Sequence, residues 1–398
     1  MSICVNDFEM GFIMINNVKP KWYIGIGALI ITVVFFIFGA FPIQLRFGMW
    51  GLAITEIGIL IIALVPMLLF KWKLRDVMPV KKITVRQLSA ALLFFIATYI
   101  LVNTVSLTTM YLFPDYARLS AGMTDFYSTV PFVVSVIIMS IFPGICEEVL
   151  HRGLIQHTLK DIKNPMILML VMAFLFGVFH LDIYRFLPTA IIGFVLTYIM
   201  IKTENFLLPV IYHTVNNAVS TLLSYGSDAT ADISLPIESV GVFLILSALS
   251  PFLIYMGVKM FNTEKLKKKA IITVIVSTLV LLSSGIGILV PAVTRTPVTN
   301  FSFTENVNNE TPPSVHGNIR IENEGMYDLH VSMTDKTHTV KITVRVEHED
   351  GEIMWETGGY DMFAKKPTLL RTGIYNIIFI YETQSESIIP VEISFAIR

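Results

Sequence analysis

Over most of this chain, apolar residues come in long unbroken runs instead of alternating with polar ones. Runs of that length are what ~30 Å of hydrocarbon asks of a helix. They predict about nine membrane helices: 23–41, 47–70, 88–113, 128–160 with Pro143 as a bend point, 165–183, a short 186–201, 206–225, 237–258 and 270–290. From about Thr296 the pattern changes period. Pro297, Pro312 and Pro313 mark a linker. Residues 341–347 then alternate, with Ile342, Val344 and Val346 on one side and Lys341, Thr343, Arg345 and Glu347 on the other. Asp350-Gly351 is a hairpin signal, and 374–381 and 391–397 also read as strands. The expected fold is a polytopic α-helical membrane protein with a C-terminal, extracytoplasmic β-sandwich-like domain. The expected boundary puts residues 1–295 in the membrane domain and 296–398 in the β-rich one.

Composition agrees with the pattern: 54% of the 398 residues are hydrophobic and 15% are charged. Lys19 and Lys21 precede the first run and no small-residue cleavage site follows it, so it reads as an uncleaved anchor. The net charge of −1 is silent about partners. No basic block is interleaved with aromatics, which argues against nucleic acid. Cys4 and Cys146 do not make a disulfide framework, and Cys146 reads as a packing residue. Positive charge sets the orientation. The loops 71–86, 151–163 and 259–269 are rich in Lys and Arg, whereas 226–236 carries only Asp228 and Asp232. Nine spans with a cytoplasmic N-terminus put every basic loop inside and everything after Val290 outside. In the C-terminal segment His316, His330, His338 and His348 lack metal-ligand spacing and read as surface residues.

Candidate chemistry sits inside the apolar runs, where ionisable groups are costly and usually functional. The segment Cys146-Glu147-Glu148-Val149-Leu150-His151-Arg152-Gly153 is the densest case. Glu148 and Arg152 are one helical turn apart and are expected to pair. Glu147 shares a different face with His151. One carboxylate is thus neutralised structurally and the other left free. His180 ends the fifth run, and His213 and Asn217 share a face of the seventh. Counting along the helices puts Glu147 roughly 20 Å from the edge at Lys160, His180 roughly 25 Å from Lys163, and His213 roughly 12 Å in from Asn205. With tilts, all could share one interior layer. Glu56, in the second run, is expected to bond a neighbouring helix. A Glu, two His and an Asn in one layer suit hydrolysis: a carboxylate as general base toward water, a histidine to orient it, and donors for an oxyanion. The alternative is a metal held by Glu147, His180 and His213.

These residues resemble a known family. Glu147-Glu148-x-x-x-Arg152, Phe176-x-x-x-His180 and His213-x-x-x-Asn217, with the lead-in Thr203-Glu204-Asn205-Phe206-Leu207-Leu208-Pro209, look like the motifs of the CAAX prenyl protease and bacteriocin-processing (CPBP, or Abi) intramembrane endopeptidases. The likeness covers about 128–225. It implies that Glu147 activates water with His180, that His213 and Asn217 form the oxyanion site, and that Glu148 and Arg152 support them. His151 departs from the family, which usually has an aromatic there; it reads as a polar residue facing cytoplasmic water, or else as a group tuning Glu147 or adding a ligand. The β-rich domain is a second departure. The implied substrate is a membrane-delivered peptide or lipidated tail. No cofactor is expected, because the chain has no His-Glu-x-x-His run and Asn217 is a poor zinc ligand. Zinc remains the alternative. A non-catalytic bacteriocin-immunity or scaffold protein is a further one, as is a proton-coupled transporter, whose matched half-chains are not seen.

Overall fold

The computed structural model describes residues 19–113, 116, 129–225, 237–262, 268–294, 298–335, 337–360 and 362–397. The acidic loop 226–236, Cys4, Pro297, and Lys265 and Lys267 of the last basic loop lie outside the described residues. The chain divides into two compact units, Met1–Ala229 with Val240–Ile286, and Thr230–Ser239 with Gly287–Arg398.

The helical elements are α1 (Trp22–Leu69), α2 (Val85–Leu112), α3 (Phe132–Thr158), α4 (Pro165–Phe179), α5 (Ile183–Thr203), α6 (Leu207–Ser224), α7 (Ile237–Phe261) and α8 (Lys268–Thr294). Among the described residues six are long and apolar enough to cross a membrane: α1, α2, α3, α5, α7 and α8. The protein is therefore a multi-pass helical membrane protein. α4 is apolar but shorter, and α6 carries a more polar sequence.

α1 is one helical run interrupted at Gly48, whose φ of 54° and ψ of −130° belong to a region that residues with a side chain avoid. The chain reverses there. Gly51 comes back against Ile43 and Gln44, so closely that a Cβ would lie 2.6 Å from the Ile43 carbonyl oxygen. Gln44 Nε2 donates to Thr55 Oγ1 across the two limbs at 3.1 Å. The expected loop between the first two spans is therefore helix, and the reversal sits at a single glycine.

The prolines act differently from the expected bend. π-helical turns at Phe36–Ala40 and Ile137–Ile141 lie just before Pro42 and Pro143. A proline has no N–H to give the carbonyl four residues back, and a widened turn absorbs the loss. α3 thus stays one helix, beginning at Phe132 and ending at Thr158, inside the expected 128–160.

The fifth helix stops at Phe179 and not near Ile183, because Leu181 takes φ 52° and Asp182 caps the next helix, accepting from the N–H of Tyr184 at 2.8 Å and of Arg185 at 3.3 Å. α5 is consequently 21 residues long and not short. Asn205, just before α6, accepts from the Lys81 N–H at 3.3 Å and donates to the Lys81 carbonyl at 2.8 Å, tying the loop ahead of α2 to the start of α6.

The second unit holds eight strands: β1 (Thr299–Val307), β2 (Ser314–Ile321), β3 (Gly325–Asp335), β4 (Lys341–His348), β5 (Ile353–Gly359), β6 (Met362–Leu370), β7 (Gly373–Glu382) and β8 (Ile389–Ile397). They form two antiparallel four-stranded sheets, in the orders β1-β8-β3-β6 and β2-β7-β4-β5. The inward residues of both sheets, among them Val331, Val344, Phe379 and Phe395, make one core, which is the expected sandwich. Gly351 at φ 85° turns β4 into β5. The surface reading of the histidines holds for His338 and fails for His348, which is 8% exposed and has Nδ1 2.9 Å from Asp350 Oδ1.

Candidate active site

Three helices of the first unit carry the side chains singled out in the sequence. α3 brings Glu147, Glu148, His151 and Arg152, the C-terminal end of α4 brings Phe176 and His180, and α6 brings His213, Asn216 and Asn217. What lets α3 and α6 meet is Gly144. A Cβ there would lie 2.1 Å from Thr214 Oγ1 and 3.0 Å from its backbone nitrogen. One helical turn further along α3, the two carboxylates reach His213.

The expected Glu148–Arg152 pair forms, with Arg152 Nη1 donating to Glu148 Oε1 at 2.9 Å and both side chains fully buried. The pair does more than cancel charge. The same Oε1 accepts from His213 Nδ1 at 2.8 Å. Arg152 Nη2 donates to the Gly193 carbonyl of α5 at 3.0 Å, and the guanidinium carbon lies 4.8 Å from the Phe176 ring centroid. Arg152 therefore ties α3 to α4 and α5, and through Glu148 it fixes the ring of α6. Because Glu148 accepts, the Nδ1 of His213 carries the proton and the Nε2 is the outward nitrogen. That Nε2 stands 3.9 Å from Glu147 Oε2.

His180 is set in a similar way. Its Nδ1 lies 2.9 Å from the Phe176 carbonyl oxygen, which can only accept, so Nε2 is left free. The Phe176 ring is the common floor, with centroids 5.1 Å from His180, 5.8 Å from His213 and 4.8 Å from His151.

Glu147, His180, His213 and Asn217 all line one cavity of about 750 Å³. Glu147 is 7% exposed, and its Oε2 has no hydrogen-bond partner among the described residues. Asn217 accepts from Asn216 Nδ2 at 3.2 Å, which fixes its amide and leaves Nδ2 for another acceptor.

Two expectations fail. His151 does not face water. It is fully buried, its Nδ1 donates to the Glu147 carbonyl at 2.9 Å, and its ring sits edge-on to Phe176 and Phe179. The residue takes an aromatic's packing role while anchoring the backbone of Glu147. Glu56 makes no hydrogen bond to a neighbouring helix among the described residues. It is 4% exposed, lines the same cavity, and its Oε2 meets no partner among the described residues. Cys146 is buried and unpaired, as a packing residue should be.

The sequence reading missed Asn216, Phe176 as a floor, Arg185 on the cavity wall, and Gly144 and Gly193 as points of close approach. The Asn216-Asn217 doublet and the glycine one turn before the Glu pair were the available signals.

Zinc is the cofactor to test against these residues. Among the described residues no group of three or more His, Cys, Asp or Glu side chains is disposed to hold a metal ion. The Nδ1 of His213 is taken by Glu148, and the Nδ1 of His180 by Phe176. Of the three candidate ligands, that leaves the two Nε2 atoms and the Glu147 carboxylate, and all three residues line the cavity.

No curated protein matches the chain. The family model described as type II CAAX prenyl endopeptidase Rce1-like matches residues 129–219, a stretch that runs from just before α3 into α6 and contains Glu147, His180, His213 and Asn217, so this part of the chain is similar to that domain.

Proposed function

We propose that the protein is an intramembrane endopeptidase that hydrolyses a peptide bond in a membrane-delivered peptide or lipidated tail. Glu147 takes a proton from a water held between it and His180 Nε2, and the water oxygen attacks the scissile carbonyl. A His213 protonated on both nitrogens donates Nδ1–H to Glu148 and Nε2–H to the developing oxyanion, with the Asn217 amide beside it. The C–N bond breaks, and the proton held by Glu147 passes to the leaving amine. Glu148 and Arg152 touch no substrate; they hold His213 in place. The observation that carries this reading is the convergence of Glu147, His180, His213 and Asn217 on one cavity, next to a fully buried pair that orients one of them. The Rce1-like match supports the reaction class.

The test is proteolysis of apolar peptides by purified protein in liposomes, with Glu147→Gln as control. Fragments from the wild type alone support an endopeptidase. A scaffold or immunity protein gives none, and a transporter gives a proton flux without fragments. Peptides that co-purify with Glu147→Gln would name the substrate.

No metal is required in this scheme. Activity should survive exhaustive chelation, and active protein should contain no stoichiometric zinc. Zinc at one equivalent, with activity lost on chelation and restored by zinc alone, would make Glu147, His180 and His213 the ligands instead.

The proposed topology is nine spans, with the N-terminus cytoplasmic and the sandwich outside, from the alternation of basic loops. External protease on intact spheroplasts should then remove roughly 100 C-terminal residues. Protection of that segment until lysis would overturn the nine-span count.

A further inference from the structure

Glu56 is left over once the proposed chemistry is assigned. It stands in an apolar limb of α1, one residue after Thr55, which holds Gln44 of the opposite limb. The reversal at Gly48 is what brings both Gln44 and Glu56 to the cavity wall. A carboxylate that is 4% exposed, with an oxygen that meets no partner among the described residues, is expensive in a membrane span and useful only if something completes it.

The charges around the cavity say what is missing. Glu148 is paired through Oε1 with Arg152 and His213. Glu147 has His213 at 3.9 Å, and the Arg185 guanidinium, also on the cavity wall, lies within electrostatic range of it. Nothing comparable among the described residues faces Glu56. Glu147, of the same sign, lines the same cavity. Two carboxylates on one cavity wall, with Arg185 as the single guanidinium among its lining residues, leave room for one more positive charge.

We infer that Glu56 is a specificity-determining residue that receives a cationic group, ammonium or guanidinium, carried by the peptide substrate next to the bond presented to Glu147. The inference rests on the endopeptidase reading for the identity of the ligand as a peptide, and on the cavity alone for its charge. A cation seated at Glu56 gives that buried carboxylate the partner its Oε2 lacks among the described residues. It also fixes the register of an apolar peptide that would otherwise slide along the cavity. The charge could come from a Lys or Arg side chain or from a free amino terminus.

Binding can be measured without hydrolysis, in the Glu147→Gln protein in nanodiscs, by fluorescence anisotropy. The probes are labelled apolar peptides that differ only in whether one position, scanned along the chain, carries lysine or norleucine. Each is made with a free or an acetylated amino terminus. At one position lysine should bind about tenfold or more tighter than norleucine, a difference of about 1.4 kcal/mol. A preference that instead follows the free terminus identifies the amino group as the source. In the Glu147→Gln/Glu56→Gln protein the preference should vanish, while norleucine peptides keep their affinity, which also reports that the cavity is intact. Glu147→Gln/Glu56→Asp should retain part of it. Equal affinities for cationic and neutral peptides in the Glu147→Gln protein, or a preference that survives Glu56→Gln, overturns the inference. Either result stands whether or not the wild type cleaves any of the peptides, so failure here and failure of the endopeptidase reading are separate outcomes.

Discussion

Glutamine in place of Glu147 should give a folded protein that no longer cuts peptides. The side chain keeps its size, and the fold loses little. Oε2 has no hydrogen-bond partner among the described residues, and the nearest basic nitrogen, His213 Nε2, is 3.9 Å away. What disappears is the acceptor for the water proton. A positioned general base contributes about 10²- to 10⁴-fold, so kcat should fall by about a thousandfold while thermal stability stays close to that of the wild type. Glu148→Gln is the informative neighbour. It keeps the shape but weakens the charged contacts to Arg152 and His213, so stability and activity should fall together there. If Glu147→Gln retained activity within about tenfold of the wild type, Glu147 would not be the base.

Removing the Arg152 side chain should cost stability and activity at once. The residue is 1% exposed and makes three contacts that no other side chain can replace, to Glu148, the Gly193 carbonyl and the Phe176 face, and through Glu148 it holds the His213 ring. Arg152→Ala leaves a buried carboxylate with His213 as its one hydrogen-bond partner among the described residues. Breaking a buried pair in this way typically costs about 3–5 kcal/mol, a large share of the stability of an ordinary domain. Lysine is a poor substitute, because a single ammonium cannot reach Glu148 and the Gly193 carbonyl while lying on the Phe176 ring. Thermal melts in detergent measure the first effect. Activity assayed well below the melting temperature measures the second, since a loosened His213 lowers kcat even in protein that is fully folded. A stable and fully active Arg152→Ala protein would refute the role given to this pair.

Much of this was written locally in the chain. Long apolar runs can be satisfied in hydrocarbon only as helices, because every backbone N–H and C=O must find its partner within the segment. That is why the helices of residues 19–294 follow from the pattern. The alternation in β4, β7 and β8 is equally direct, since a strand with one buried face has a strict period of two. β6 was not legible. It carries Lys365, Lys366 and Pro367, which are tolerated because β6 is an edge strand of its sheet. Sheet order is not a local property. The break points were also missed. A helix–strand pattern does not say that Gly48 takes a positive φ, that Asp182 ends one helix by capping the next, or that a proline is absorbed by a wider turn.

For the site, the sequence determined the chemical inventory: an unpaired Glu, a Glu–Arg pair one turn apart, two histidines and an asparagine, all within apolar helices. The pair was legible because residues four apart on a helix meet whatever the rest of the chain does. The rest needed the tertiary structure, because it depends on how closely separate helices approach. Gly144 lets α3 reach α6, and that contact, invisible in any one segment, turns Glu148 from a partner of Arg152 into the residue that orients His213. The same packing takes His151 out of water and sets it against Phe176 and Phe179. It also brings Glu56, from the far end of the helical unit's sequence, to the cavity that Glu147 lines. Spacing along one helix is fixed by covalent geometry. Distances between helices are fixed by which side chains are small enough to let backbones touch, and that is decided only when all the helices are packed together.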